Sequence, residues 1–311
     1  MRSFSFRAAL AVATLAPLPA VAGTIRHDRP DSAHTTLAAG FPQVGALITT
    51  ASTGATTLCG GTLIDPWWVL TAAHCVDGDR ASITFITGPD ILFNQEQSVA
   101  AAAWFPHPQW DRTHPTDGYD LGLVRLASPI TSVAPSTIYG GSSELGRAGV
   151  SVGYGATGNG LTGFVPGTEG TRRAGENTFD ALGSAFGFSD HFLVADFDDP
   201  ANADPRNPLG EPLPLNLEYS VAGGDSGGGT FMDFGSGPTL IGVNSFIHAL
   251  LPPAGDGTDN ASYGDLYGMT RASLLRDWVT SSIPEPGGGA IVLAGAAWAV
   301  LLTDRRRASR L

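Results

Sequence analysis

The chain carries the stretch Gly223-Gly224-Asp225-Ser226-Gly227-Gly228-Gly229. Five glycines enclose one carboxylate and one hydroxyl. Glycine loses the most backbone entropy on folding, so such a cluster marks positive φ or the close approach of another segment. A serine on a turn of that kind can hold its Oγ clear of its neighbours, with backbone N–H groups directed at the same space. Acyl transfer requires that combination: a nucleophile, and fixed donors where oxyanion charge develops. Serine alone is a poor nucleophile, so the reading demands a base and a group to orient it. Both stand upstream, as His74 in Leu70-Thr71-Ala72-Ala73-His74-Cys75 and as Asp120 in Asp120-Leu121-Gly122-Leu123-Val124-Arg125-Leu126. Taken alone, a Gly-rich turn is more often just a turn, so the weight rests on the three motifs together.

The chain order is His, then Asp, then Ser, with Cys59-Gly60-Gly61-Thr62-Leu63 ahead of the histidine. In this it resembles the trypsin/chymotrypsin-like serine proteases. The resemblance implies an all-β fold: two six-stranded antiparallel β-barrels, a C-terminal α-helix, and a site in the cleft between the barrels. It implies Ser226 as nucleophile, His74 as general base and later acid, and Asp120 as the group that fixes the imidazole. The N–H groups of Gly224 and Ser226 would form the oxyanion hole, and Asp225 would be a structural acid. Ser220, six residues before the nucleophile, matches the pocket floor, where a neutral hydroxyl gives no partner to a basic side chain. Ser245 matches the serine beside the substrate-pairing strand, where it hydrogen-bonds Asp120, and Phe246 walls the pocket. Ile247 departs from the family, which commonly has glycine there. With Tyr267 deeper in, it would narrow the slot towards small or medium apolar residues. The implied protein is a secreted serine endopeptidase that hydrolyses polypeptides through an acyl-enzyme and needs no cofactor and no metal.

Two rival readings keep some of these residues. One is an envelope or matrix protein that uses the same cleft for binding without turnover, against which the complete triad counts. The other is an esterase-type acyl hydrolase. The α/β-hydrolases run Ser, acid, His, unlike this chain.

Formal net charge is −12 over 311 residues, and all seventeen basic residues are arginine. A nucleic-acid partner needs clustered Lys and Arg, so that class is excluded. Within 23–283 there are 11 Arg against 27 acidic residues. So acidic a body stays soluble outside the cytoplasm but does not identify a substrate.

Both ends read as targeting segments. Arg2 and Arg7 precede an apolar run from Ala8 to Val21, and Ala20-Val21-Ala22 fits a leader cleavage site, so residues 1–22 read as a signal peptide. Export permits a disulfide, and the two cysteines, Cys59 and Cys75, flank the histidine motif. At the other end Pro284-Glu285-Pro286, an apolar run from Gly287 to Thr303 and Asp304-Arg305-Arg306-Arg307 resemble the PEP-CTERM sorting signals of Gram-negative bacteria. That resemblance implies exosortase-like processing machinery as a partner, a membrane segment in 284–311, and a periplasmic, cell-surface or extracellular location. Seventeen apolar residues are near the lower limit for a spanning helix.

Between the ends, residues 23–36 form a polar segment with no apolar period, expected to be loose or wrapped on the surface. Short apolar runs then recur between Gly, Pro, Asn and Asp clusters, through 37–135 for a first barrel and 136–283 for a second. Leu274, Leu275, Trp278 and Val279 share one face of an expected helix from Ala272 to Ser281. The Pro-rich stretch 196–214 carries Asp196, Asp198, Asp199, Asn202 and Asp204, which could offer oxygen ligands to Ca²⁺ but read better as a solvated loop. His107 and His114 read as loop residues, and the remaining histidines show no metal-ligand spacing. No Ile-Val-Gly-Gly activation terminus precedes Cys59. Ile25 is the nearest candidate for a terminus that would pair with Asp225, and an internal arginine is the preferred partner.

Overall fold

The computed structural model describes residues 23–201, 205–210 and 213–283. The predicted leader 1–22 and sorting tail 284–311 lie outside the described residues. Among those described, no helix is long and apolar enough to cross a membrane.

The first half follows the apolar runs closely. Strands β2 (Val44–Thr50), β3 (Thr56–Asp65), β4 (Trp68–Thr71), β5 (Ser82–Thr87), β6 (Gln97–Pro106) and β7 (Gly122–Leu126) close into a barrel in the order β2-β3-β4-β7-β6-β5. All of its pairings are antiparallel. β6 alternates half-buried and exposed positions, whereas β4 is buried throughout, as a strand with both faces covered must be. Leu47, Leu63, Val69, Phe85, Leu123 and Val124 fill the interior with no solvent exposure. Each such side chain contributes roughly 1.5–3 kcal/mol of burial. Between β4 and β7 in sequence, the single-turn helix α2 (Ala73–Val76) carries the histidine.

The second half differs in closure from the six-stranded barrel expected of it. Its main sheet has seven strands in the order β11-β8-β15-β16-β17-β13-β12 and curls without closing. These are β8 (Arg147–Gly153), β11 (Arg173–Phe179), β12 (Ala181–Leu182), β13 (Phe192–Asp196), β15 (Gly229–Asp233), β16 (Pro238–His248) and β17 (Leu266–Arg271). A separate four-stranded sheet, in the order β10-β9-β1-β14, is built from β1 (Gly23–Ile25), β9 (Thr157–Asn159), β10 (Gly163–Val165) and β14 (Tyr219–Ser220). One apolar cluster spans both halves, joining Leu63 and Val69 to Val152, Tyr154, Phe231 and Val243.

The polar segment 23–36 is more ordered than its composition suggests. Residues 23–25 are β1, held between β9 and β14, with Ile25 opposite Tyr219 and Gly23 beside Thr157. Helix α1 (Asp31–Ala38) follows, anchored by the Asp31–Arg173 ion pair and by His34, which is fully buried with Nδ1 3.0 Å from Ala174 O. Partners more than a hundred residues away order this segment, so no local apolar period could announce it. The terminal helix α3 (Arg276–Ser282) starts four residues later than the expected Ala272. β17 runs to Arg271, and the chain must first turn through Ala272–Leu275, where Leu275 N–H bonds Ala272 O.

In the Pro-rich acidic loop, Asp196 Oδ2 accepts the Leu209 N–H, Asp199 Oδ1 accepts the Ala201 N–H, and Asp198 N–H donates to Glu218. These oxygens serve loop closure. Asn202 and Asp204 lie outside the described residues.

Candidate active site

The stretch that opened the reading forms a turn between β14 and β15. Gly224 and Gly227 have φ of 96° and 82°, in the left-handed region that favours glycine. At 227 the constraint is also steric, since a Cβ would lie 2.2 Å from Thr71 Oγ1 and 2.5 Å from Gly60 O. The turn is thereby pressed against β3 and the histidine segment. Gly60 N–H donates to Ser226 O at 2.7 Å, and the same oxygen lies 3.6 Å from Cys75 Sγ. Cys59 and Cys75 form a disulfide, with Cα atoms 6.2 Å apart. That covalent link ties α2 to β3, the strand on which Ser226 rests. Cys59, His74 and Cys75 lie close enough together to suggest a metal cluster. Their sulfurs are consumed in the disulfide, which leaves no thiolate to bind an ion.

His74 meets Asp120 twice. Its backbone N–H donates to Asp120 Oδ1 at 2.9 Å, and its Nδ1 lies 2.8 Å from Oδ2. Oδ2 also accepts the Ser245 Oγ–H at 2.5 Å. The two bonds from His74 fix both its backbone and its ring, leaving Nε2 for other partners. Burial of the imidazole opposes its protonation. The Asp120 charge and hydrogen bond, with Asp77 adding, outweigh this and raise the pKa above the ordinary histidine value. Asp120 itself is almost wholly buried.

Ser226 lines a cavity of about 170 Å³ together with residues 221–223 and 244–247. Among the described residues, neither the Gly224 N–H nor the Ser226 N–H has a hydrogen-bond partner, whereas those of Asp225, Gly227 and Gly228 are engaged. Two donors are therefore free beside the serine. Asn244 braces the turn from below, with Nδ2 donating to Val152 O and Asp225 O and its Oδ1 accepting from Thr230. Ser245, Phe246 and Ile247 also line this cavity. Ser220 is fully buried in β14, opposite Thr24, and stands outside this lining. Tyr267 is also fully buried, and it pairs with Ile247 across β16 and β17.

Among the described residues no arginine pairs with Asp225, contrary to the expectation from sequence. Oδ1 accepts the Gly155 N–H at 2.7 Å, and Oδ2 accepts the Ala222 N–H and the Tyr219 hydroxyl, each at 2.9 Å. The nearest cation by charge effect, Arg173, is ion-paired to Asp31. Burial dominates and pushes the Asp225 carboxyl up to about 6, although all three donors and Arg173 pull it down.

Sequence reasoning missed a second set of neighbours. Trp110 Nε1 and Arg112 Nε donate to Asp77 Oδ2 at 2.8 and 2.9 Å, and the Trp110 ring lies 6.4 Å from that of His74. Asp77 is three residues beyond the histidine, and its partners come from a loop more than thirty residues later. No spacing in the sequence marks them. Tyr219 and Gly155 were missed for the same reason.

Residues 34–169 match the trypsin family model. The matched segment contains the disulfide, His74 and Asp120, and it ends before Ser226. Over 75 residues the chain is 40% identical to chymotrypsin-like elastase family member 1 of Macaca fascicularis, covering 24% of this chain and 28% of that one. Over 114 residues it is 38% identical to kallikrein 1-related peptidase b27 of Mus musculus, covering 32% and 43%. The chain thus spans less than half the length of these curated relatives. A solved structure of HL collagenase superposes with a TM-score of 0.58 at 21% identity, covering 85% of this chain and 99% of that one, which is a likeness of fold.

Proposed function

We propose that this protein is an exported serine endopeptidase that cleaves polypeptides through an acyl-enzyme, with Ser226, His74 and Asp120 as its triad. The observation that carries the reading is the convergence on Asp120, whose carboxylate accepts from His74 N–H, His74 Nδ1–H and Ser245 Oγ–H together. A buried carboxylate so engaged fixes the tautomer with the proton on Nδ1, which leaves Nε2 as the basic nitrogen.

In the first half-reaction Ser226 Oγ attacks the scissile carbonyl carbon while His74 Nε2 takes the hydroxyl proton. The carbonyl oxygen becomes an oxyanion and is met by the free N–H groups of Gly224 and Ser226. Removing one such donor typically costs roughly 10²–10³ in rate. Collapse breaks the C–N bond, and the proton on Nε2 passes to the departing amine. Water then attacks the ester with His74 again as base, releasing the acid and restoring Ser226. Asp120 holds the Nδ1 proton by its hydrogen bond throughout and stabilises the imidazolium.

On specificity, the described lining offers no carboxylate to a basic side chain and includes the branched side chain of Ile247. This supports cleavage after small or medium apolar residues. The leader at 1–22 and the Pro-Glu-Pro tail at 284–311 support export from a Gram-negative cell and retention or processing at the membrane by sorting machinery.

A fluorophosphonate probe tests the central claim. It should label Ser226 in the wild-type protein and leave Ser226→Ala unlabelled, whereas a binding cleft without turnover would stay unlabelled in both. Peptide amides assayed beside simple esters separate a peptidase from an esterase. Mass spectrometry of the mature termini from the native host tests the processing at both ends.

A further inference from the structure

The residue before the triad acid sits in a conformation that it would not choose. Tyr119 has φ of 62°. A bulky side chain enters that region only at a cost of order 1–3 kcal/mol, so the surroundings must over-determine it. Its ring is stacked on His107, with centroids 5.1 Å apart and planes 17° apart. It also packs against His191, at 4.3 Å and 42°. His107 follows β6 in the first barrel, and His191 immediately precedes β13 in the second sheet. Trp278 of α3 meets His107 edge-on at 4.7 Å. One side chain therefore joins the barrel and the second sheet, with the terminal helix behind.

The backbone around it is equally bound. Leu121 N–H donates to Tyr119 O at 2.7 Å, His107 N–H to Leu121 O at 2.8 Å, and Arg271 N–H to His191 O at 2.8 Å. His191 can approach because residue 118 is glycine, where a Cβ would stand 2.7 Å from His191 Cβ. Both histidines have lowered pKa values. Burial is the leading cause in each, followed by His191 for His107 and by Arg271 for His191, so both rings are neutral at neutral pH and stack without repulsion.

We propose that Tyr119 is a positioning residue: its ring, clamped by His107 and His191, fixes the left-handed turn that delivers Asp120 to His74 and Ser245. The orientation of the acid is then set jointly by both halves of the fold. This rests on the reading of Asp120 as the partner of His74 in catalysis.

The test uses Tyr119→Phe, Tyr119→Gly and Tyr119→Leu in the full chain. Phenylalanine keeps the ring. Glycine tolerates the backbone angle without strain and so isolates the loss of the ring. Leucine keeps apolar bulk and carries the test if the glycine variant does not fold. We expect Tyr119→Phe to match the wild type. Tyr119→Gly and Tyr119→Leu should lose roughly 10–100-fold in kcat per labelled serine, the scale of a misplacement of about 1 Å. KM should change by no more than about twofold, because substrate contacts are untouched. The acid limb of the rate profile, and the His74 titration followed by NMR, should both move to lower pH as Asp120 loses its hold on the imidazole. A glycine or leucine variant that melts earlier but keeps kcat and the His74 titration would overturn the proposal and leave the ring a packing element. If the wild type cleaves no peptide or ester, the hydrolase reading fails, while the His74 titration still decides whether Tyr119 positions Asp120.

Discussion

The Tyr219 hydroxyl donates a 2.9 Å hydrogen bond to Asp225 Oδ2, completing a shell of three donors around a carboxylate with no solvent exposure. Tyr219 is in turn paired with Ile25 of β1, so the segment after the predicted leader stands one residue from this shell. An isolated buried charge would be prohibitive, and here dipoles and a hydroxyl meet it in place of a cation.

That arrangement gives stability a pH signature. The folded pKa of Asp225, about 6, is raised above the unfolded value of 3.8. The folded state therefore holds the proton more tightly. The resulting stability is fully present below pH 3.8 and is lost as pH rises through about 6. A shift of this size corresponds to about 3 kcal/mol. Asp225→Asn should remove this slope, and denaturant unfolding from pH 4 to 8 in both proteins measures it. Tyr219→Phe should cost more at pH 8 than at pH 4.5, because a hydrogen bond to an ionised group contributes more, roughly 1.5–3 kcal/mol.

Ser226→Ala, His74→Ala and Asp120→Asn should each lower kcat by several orders of magnitude without unfolding the protein. Combined variants should lose little more than single ones, since the residues act as a unit. Steady-state kinetics, with circular dichroism to confirm folding, decides the matter. A well-folded Ser226→Ala protein with near-normal peptidase activity would refute the assignment.

The proposed mechanism needs neutral His74, whose pKa is raised above 6.5 by Asp120 and Asp77 against the opposing effect of burial. Activity should therefore fall on acidification with a midpoint above that value. Asp120→Asn removes the charge, so its residual activity should show a lower midpoint. The pH dependence of kcat/KM in both proteins reads this directly.

Ile247→Gly should broaden the pocket mouth and admit large aromatic side chains at the cleaved position, where the proposed wild-type preference is for small or medium apolar ones. A peptide-library profile of both proteins tests it. Dominance of Arg or Lys in the wild-type profile would contradict the lining described here.

Replacing both cysteines by alanine should lower stability by about 3 kcal/mol, the chain-entropy value for a loop of this size. The sequence separation of 16 residues supports that scale. Urea unfolding under non-reducing conditions provides the measurement.

Much of the fold was legible because the first barrel is made of neighbours in sequence. Its strands are short apolar runs between turn residues, and His74 and Asp120 stand at the ends of such runs. The helix α3 was found from Leu274, Leu275, Trp278 and Val279, although its start was placed four residues early and Leu274, ahead of the helix, is exposed. The missed elements share one property. β1, β9, β10 and β14 are two or three residues long; β10 pairs with its neighbour β9, and the sheet is completed only by β1, which meets β9 and β14 across more than 130 residues of chain.

The residue types for acyl transfer, their order, and the glycines that a serine-bearing turn demands are local properties of the chain, since φ and steric limits act between neighbours. What surrounds them depends on how distant segments come together. The donors to Asp225 come from residues 155, 219 and 222, the clamp on Tyr119 from residues 107 and 191, and the Asp77 partners from residues 110 and 112. A hydrogen bond or ring contact needs a few ångströms of separation and carries no mark in chain spacing. A buried carboxylate must find partners, but which ones it finds is settled by how the strands close around it.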